Sequence, residues 1–184
     1  MLSEINRESC TLRGNRIELS QVQIQDATDE YLFWLNDVEV NKFLETRWIS
    51  QTLETIISHI KKVSSSPTEL LLKIVVAAEE VHIGNIKIGP IDANNKSAEL
   101  SYFIGNKSFW GQGYATEAIN LCVDYCFEIL GLYKIQAGCF ETNIGSRKAL
   151  LKSGFELEGR LRKRILTIDG SREDHLWFGR INEK

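Results

Sequence analysis

The N-terminal part of the chain carries the pattern of one strand followed by three helices. Residues 16–23 alternate approximately between apolar and polar side chains, which predicts a half-buried strand. Thr28 is placed to cap a helix over residues 29–36, and Asp37 to begin a second, short helix. Ser50 is expected to cap a longer helix whose apolar positions share one face. These positions are Leu53, Ile56, Ile57 and Ile60.

The remainder of the chain alternates between strands and helices. Segments rich in β-branched and aliphatic residues predict three consecutive strands at 70–78, 81–91 and 98–104. A helix is expected from the residue after Gly113 to Leu130, with Gly131 as its C-cap. The last elements are a strand, a helix and a hairpin that turns at Asp169-Gly170. Their ranges are 133–140, 144–153, 156–168 and 173–181.

This order of elements indicates the fold class. A meander of strands joined to a strand-helix-strand unit implies an α/β fold on a mixed sheet of seven strands, with helices on both faces. The sequence contains no internal repeat, low-complexity tract or linker. We therefore expect 1–184 to form a single domain, with its core at about 16–181.

Composition and charge narrow the function classes. The 184 residues are 43% hydrophobic and 26% charged, which is ordinary for a globular protein. A formal charge of -3 gives no general attraction to nucleic acid. The most apolar stretch, Leu70–Ala78, is far shorter than the roughly 20 residues that span a bilayer. Met1–Cys10 lacks the apolar segment of a secretory signal, so we expect a cytoplasmic protein without nucleic-acid or membrane partners.

The four cysteines do not show the spacing of a metal site. A metal site would need two closely spaced pairs of ligands, which the chain does not offer with Cys10, Cys122, Cys126 and Cys139. A cytosolic setting would keep these residues as thiols. Cys122 and Cys126 share a helix face, and without a second pair we interpret them as buried small hydrophobes. We expect no metal.

The strongest local signal is a glycine turn at the start of the central helix. Gly111 and Gly113 allow a ligand to approach the backbone, and the first amides of a helix lack internal partners, so they can bind a pyrophosphate. The alternative is a loop that only turns the chain. The segment lacks the third glycine of a dinucleotide-binding fingerprint and the Lys-Ser/Thr pair of a P-loop, so both of those nucleotide sites are disfavoured.

Three ordered segments resemble the signatures of the GNAT superfamily of acetyltransferases, and most closely its RimJ/RimL-like branch. The first is Ala98–Phe103, the second Gly113–Ala118, and the third Glu141-Thr142-Asn143 with Ser146 and Gly154-Phe155. The resemblance implies acetyl-CoA as acetyl donor and a V-shaped opening between the strands of residues 99–104 and 133–140. It implies an N-acetyltransferase that acts on a primary amine by direct attack on the thioester.

The same resemblance implies the residues that contact acetyl-CoA. They are Phe103, Ile104, Gly111, Gln112, Gly113, Tyr114, Ala115, Thr116, Asn143 and Ser146. The family's pyrophosphate motif usually has Gln or Arg at the position of Trp110. Because backbone amides make most of this contact, we expect cofactor binding despite the replacement.

The chemistry requires a proton acceptor, because only a neutral amine attacks a thioester. Free α-amino groups have a pKa of about 7.7 to 8.0, and lysine-like amines about 10.4. Glu99 lies on the strand that leads to the cofactor, where family members often have a general base. A structural cross-strand charge is the equally weighted alternative for Glu99.

The departing thiolate also gains from a hydrogen-bond donor. Many family members have a Tyr where this chain has Leu150, and the RimJ/RimL-like branch is expected to use Ser146 instead, with Asn143 oriented toward the cofactor. Capping of the helix that begins at Ile144 is the alternative for both residues. Glu141 and Tyr102 are secondary candidates.

The acceptor end is the part that the sequence defines least. Its candidates in the early helices are Tyr31, Trp34, Glu45, Arg47 and Trp48. A basic run in the final hairpin comprises Arg160, Arg162, Lys163 and Arg164, either as solvated surface or as attraction for an anionic acceptor.

Several acceptors and one non-catalytic role remain open. A protein N-terminus is the first expectation, with an amino-sugar nucleotide or a small amine such as a polyamine or drug as alternatives. Residues 31–47 also resemble acetyltransferases of surface-polysaccharide pathways, which supports the sugar. The donor could also be an acyl-CoA larger than acetyl-CoA, and the chain could be a CoA-binding module without catalysis. For its oligomeric state, we expect a monomer or a homodimer.

Overall fold

A computed structural model describes residues 10–183. The expectation about a secretory signal rests on residues 1–9, outside the described part. The strands are β1 Thr11–Arg13, β2 Ile17–Gln21, β3 Leu70–Val76, β4 Val81–Asp92, β5 Ser97–Ile104, β6 Lys134–Phe140, β7 Glu156–Leu166 and β8 Arg172–Ile181. The helices are α1 Asp29–Asn36, α2 Val38–Asn41, α3 Leu53–Ser65, α4 Tyr114–Asp124 and α5 Ile144–Lys152.

All described strands join one mixed sheet, in the order β1-β2-β3-β4-β5-β6-β8-β7. The α/β fold is confirmed, but the sheet has eight strands and the prediction of seven was wrong. The missed strand, β1, has three residues, too few for an alternating pattern to be recognised. It pairs antiparallel with β2 through a tight turn.

The caps of the early helices follow the sequence with one correction. Thr28 accepts a hydrogen bond from the amide of Tyr31, and Asp37 begins α2, as predicted. Ser50 does not cap α3; that role belongs to Thr52, whose side chain and that of Thr55 exchange bonds with each other's amides. Thr52 with Thr55 makes a reciprocal box that Ser50 cannot form, and the helix begins later as a result.

The predicted long helix after Gly113 changes its geometry near its end. The α-helix ends at Asp124, and the chain continues as one π-helical turn over Tyr125–Ile129. Gly131 follows with φ +66, the left-handed conformation expected after a helix end. Cys122 and Cys126 are fully buried in this helix, where burial raises the pKa of each thiol.

Two apolar cores lie on opposite faces of the sheet. The larger contains the inward residues of α4 and α5 and of most strands, with Leu72, Ile119 and Leu150 fully buried. The smaller joins α1, α2 and α3 to the other face, around Trp34 and Ile60. Among residues 10–183, no helix is long and apolar enough to cross a membrane.

The sheet opens between its two parallel strands. β5 and β6 pair only from Ser97 to Glu99 on one strand and from Lys134 to Gln136 on the other. β5 continues to Ile104 paired with β4, and β6 continues to Phe140 paired with β8. The two strands therefore diverge beyond Glu99, which gives the expected V-shaped opening.

Candidate active site

The glycine turn lies at the wide end of the opening, where β5 leads into α4. Gly111 and Gly113 both have positive φ, +74 and +87, which other residues rarely adopt. The first bond of α4 runs from the amide of Glu117 to the carbonyl of Gly113, at 3.1 Å. The earlier amides, of Tyr114 to Thr116, precede this bond and stand at the positive end of the helix dipole, so they can receive an anion.

Side chains hold this turn in place. The indole of Trp110 donates to the carbonyl of Ile104 at 2.8 Å, and Gln112 donates to the carbonyl of Ser108 at 2.7 Å. From the β1–β2 turn, Arg16 donates to the carbonyl of Gln112 at 2.9 Å. Trp110 thus ties the turn to the end of β5. A turn fixed before the ligand arrives binds it with less entropic cost.

Tyr102 and Ser146 meet where β5 and β6 have diverged. Their hydroxyl oxygens are 2.8 Å apart, and the Tyr102 hydroxyl also lies 3.2 Å from the carbonyl oxygen of Ser146. Burial raises the pKa of Tyr102, so its phenol stays protonated and can donate. A Ser146 hydroxyl that accepts from Tyr102 keeps its own proton for another acceptor.

Asn143 caps α5. Its side-chain oxygen accepts from the amide of Ser146 at 3.1 Å, which confirms the capping alternative for Asn143. Ser146 supplies the amide that this cap satisfies, and its hydroxyl lies 2.8 Å from that of Tyr102. Cys139 lies beside this group, and burial raises its pKa to about 11, which keeps a thiol at neutral pH.

Glu99 stands at the narrow end of the opening. It forms the last pair with Gln136, and its side chain is exposed while its neighbours Ala98 and Leu100 are buried. Since side chains alternate along a strand, Glu99 faces the side of the sheet opposite the larger core. An exposed carboxylate there can accept a proton directly or through water.

The remaining candidates near the cofactor side have structural partners. Leu150 packs fully buried in the larger core, where a hydroxyl would lack solvent. Glu141 forms an ion pair with Arg160 at 2.9 Å, and Arg160 also pairs with Asp174. Phe103 and Ile104 lie on β5 beyond the last pair with β6, beside the opening.

The acceptor candidates of the early helices separate into two places. Tyr31 and Trp34 are buried in the smaller core, and Trp34 packs directly on Gly105. Arg47 lies instead against the end of β6, with its guanidinium 5.0 Å from the centre of the Phe140 ring and 4.7 Å from that of the exposed Trp48. Glu45 is exposed and pairs with Arg47 at 3.3 Å.

Phe140 and His175 complete this second place, and the sequence pattern did not single them out. The His175 ring contacts Phe140 edge to face at 6.5 Å and lies over Gly138. Burial and the nearby Arg164 lower the pKa of His175, which keeps it neutral at pH 7. The pairing of Phe140 with His175 across β6 and β8 needs the strand register, and no local motif reveals that.

The basic run divides by its partners. Arg160 forms ion pairs with Glu141 and Asp174, and the Lys163 ammonium donates a hydrogen bond to the carbonyl of Arg172. Arg162 and Arg164 are exposed, and no ion pair involves either of them in the part of the chain that the structure describes. Two positive charges therefore stand free on the hairpin.

Comparison with protein families and curated proteins agrees with this geometry. A sequence model of the acetyltransferase (GNAT) domain matches residues 16–156. The chain is 30% identical to the "uncharacterized N-acetyltransferase p20" of Bacillus licheniformis, over 83% of this chain and 85% of that protein. The ribosomal-protein-serine acetyltransferase of Escherichia coli K12 is 29% identical, over 48% of this chain and 49% of that protein.

Two further proteins extend the comparison. The spermidine N(1)-acetyltransferase of Escherichia coli K12 is 24% identical, over 76% of this chain and 75% of that protein. The solved structure of the microcin C7 self-immunity acetyltransferase MccE, in complex with acetyl-CoA and AMP, superposes with a TM-score of 0.78. It is 23% identical and covers 92% of this chain and 94% of that one, so the likeness concerns the fold.

Proposed function

The chain belongs to the GNAT family of acetyltransferases, with relatives of the RimJ/RimL kind, and from this premise we propose that its acceptor is the N-terminal amine of a protein. It is an N-acetyltransferase that takes its acetyl group from acetyl-CoA. The observation that supports this position of acetyl-CoA is the open turn at Gly111–Gly113, which lies beside the point where β5 and β6 diverge. Its amides face the pyrophosphate, and the opening takes the arm that bears the thioester.

We assign the chemical step to two side chains on either side of the opening. The neutral amine attacks the thioester carbon, a C–N bond forms, and the C–S bond breaks. Glu99 accepts the proton that the amine loses, directly or through water. The Ser146 hydroxyl donates a hydrogen bond to the leaving sulfur, and Tyr102 orients it.

The ribosomal-protein acetyltransferase among the relatives supports a protein N-terminus as acceptor. The exposed side chains of Arg162 and Arg164 disfavour a polyamine, since a polycation would be repelled by them. The same two charges favour one second candidate, an anionic amine such as an amino-sugar nucleotide. One relative is named as a spermidine acetyltransferase, but the two arginine charges argue against spermidine as the acceptor of this chain.

A thiol-release assay with acetyl-CoA and a panel of acceptors tests the proposal. The panel contains N-terminal peptides, amino-sugar nucleotides and polyamines at equal concentration. We expect the highest kcat/KM with a peptide. Turnover only with an amino-sugar nucleotide would replace the acceptor, and acetyl-CoA binding without any turnover would indicate a CoA-binding module.

A further inference from the structure

We propose that Arg16, in the turn between β1 and β2, is a positioning residue for acetyl-CoA that orients the pyrophosphate-binding turn at Gly111–Gly113. This inference rests on the proposed placement of acetyl-CoA at that turn. Arg16 lies far from the turn in sequence, on a different element. In the fold, its side chain reaches the beginning of α4 and contacts both the turn and the helix.

The contacts of Arg16 converge on one segment. Its Nε atom lies 3.0 Å from Oε2 of Glu117, and its backbone amide donates to Oε1 of the same carboxylate at 2.8 Å. Its Nη1 atom donates to the carbonyl of Gln112 at 2.9 Å. The guanidinium also lies 4.5 Å from the centre of the Tyr114 ring. One side chain thus contacts the turn before the helix and the first helical residues after it.

The bond to Gln112 fixes the direction of an amide that faces the ligand. In a trans peptide, the carbonyl and the following N–H point in opposite directions. Because the Gln112 carbonyl points to Arg16, the N–H of Gly113 points away from Arg16. Gly113 has φ +87 and, as a glycine, could adopt other orientations at little cost. Arg16 selects one of them.

Arg16 also offsets a charge that would oppose phosphate binding. Glu117 lies in the first turn of α4, where a free carboxylate would repel an anion at the helix N-terminus. Burial alone would raise the pKa of Glu117, but the bonds from Arg16 hold it below its usual value, so the carboxylate is ionised and paired. The pairing reduces the repulsion between this carboxylate and a phosphate.

One edge of the guanidinium faces the glycine turn. Its Nη2 atom lies 3.4 Å from the position that a Cβ atom on Gly113 would take. Within residues 10–183, Nη2 has no hydrogen-bond partner. A positive group therefore stands at the turn although Trp110 occupies the position where the family usually has Gln or Arg. Arg16 supplies that charge from outside the motif.

The test compares two acetyl donors that differ in the pyrophosphate. Acetyl-CoA carries it, and S-acetyl-pantetheine has the same thioester arm without it. Arg16→Gln removes the charge and two of the bonds. Arg13→Gln is the matched control, because Arg13 is an arginine on neighbouring β1 whose side chain is 80% exposed and pairs with Glu18. Arg16→Lys retains the charge without the forked geometry.

We expect Arg16→Gln to weaken acetyl-CoA binding about ten-fold or more by calorimetry, since charge-assisted bonds position the turn. Its kcat/KM with S-acetyl-pantetheine should equal that of wild type, and Arg13→Gln should change neither value. The acetyl-CoA affinity of Arg16→Lys should lie between that of wild type and that of Arg16→Gln. Equal losses with both donors would show that Arg16 supports only the fold, and no loss with acetyl-CoA would also overturn the inference. If wild type itself binds no acetyl-CoA, the proposed function fails instead.

Discussion

At the scale of single residues, the proton of the Ser146 hydroxyl decides what this side chain can do. Tyr102 has one proton and two possible acceptors on Ser146, the hydroxyl and the carbonyl oxygen. Since burial raises the pKa of Tyr102, the phenol stays protonated at neutral pH and can donate a hydrogen bond to Ser146. In the proposed mechanism, Tyr102 is therefore a positioning residue, and Ser146 is the group that contacts the leaving sulfur.

Ser146→Ala should lower kcat about 10- to 100-fold and leave acetyl-CoA binding nearly unchanged, because a bond to a developing charge forms mainly in the transition state. Tyr102→Phe keeps the ring and should lower kcat in the same direction. If the two residues act together, the double variant should be no slower than Ser146→Ala alone. Single-turnover kinetics and thermal melting measure both effects. Full-rate chemistry in a destabilised Ser146→Ala would end the assignment.

Glu99→Gln should lower turnover by roughly 10²- to 10⁴-fold at neutral pH, because the amine loses its proton acceptor. Acetyl-CoA binding should remain nearly intact, and the loss should shrink at high pH, where the amine is already neutral. Glu156→Gln is the control, since Glu156 is an exposed carboxylate on β7. A pH-rate profile equal to wild type would make Glu99 a structural charge.

Gly113→Val should abolish acetyl-CoA binding, because a branched side chain at φ +87 strains the turn and crowds the phosphates. Gly170 at the tip of the last hairpin has φ +81 and open space around its Cβ position, so Gly170→Val carries a similar backbone strain away from the site. Calorimetry should show binding lost in the first variant and retained in the second. Normal affinity in a folded Gly113→Val would remove the turn from the site.

At the scale of elements, Arg47 ties the segment after α2 to the final hairpin. Its side chain is 4% exposed and donates to the carbonyls of Leu44 and Leu166, at 2.8 and 3.1 Å. In the proposed function, these two segments lie on the acceptor side of the opening. The Arg47 guanidinium therefore helps to hold the two segments together.

Arg47→Met should raise the KM for the acceptor several-fold while the Kd for acetyl-CoA stays the same, because the two segments lose their tie and the cofactor turn does not. Loss of the two charge-assisted bonds from the guanidinium should also lower stability by about 1 to 3 kcal/mol, although the Leu44 carbonyl keeps the backbone amide of Arg47 as a donor. Steady-state kinetics and urea unfolding measure the two effects. An unchanged acceptor KM in the destabilised variant would limit Arg47 to stability.

The same scale explains what the sequence could predict. The sequence predicts elements with many regularly spaced apolar residues, such as α3 and β4, because that pattern is local. The glycine turn is also predicted from a local signal. The cap of α3 was placed at Ser50 instead of Thr52, since both residue types are suitable caps. The Tyr102–Ser146 contact joins positions 44 apart and the Arg16–Glu117 pair positions 101 apart, so only the topology brings them together.

At the scale of the whole molecule, three histidines share one response to acid. Burial lowers the pKa of His59, His82 and His175 below the usual 6.5. A lowered pKa means that the unfolded chain binds the proton more readily. The resulting stability is fully present above pH 6.5 and is lost as the pH falls toward the folded-state pKa values.

Urea unfolding should therefore give a smaller free energy at about pH 5.5 than at about pH 7.5, a window above the carboxylate range. His82→Gln should reduce this difference, because burial beside Trp34 lowers the pKa of His82 by more than its bonds to Asn85 and Gly84 raise it. His59 is more exposed than His82 and lies in the middle of α3, so His59→Gln should reduce the difference less. A pH difference unchanged in both variants would contradict the assignment to histidine.

The short ladder between β5 and β6 has a mechanical consequence. Three residue pairs are all that join strands β1–β5 to strands β6–β8 within the described sheet. The two halves of the sheet are thus connected at a narrow seam, and the larger core packed against both halves carries the rest of the connection between them. A molecule that binds along the gap and contacts both halves adds a second connection across the seam. The resistance of the sheet to twisting then depends on whether that molecule is bound.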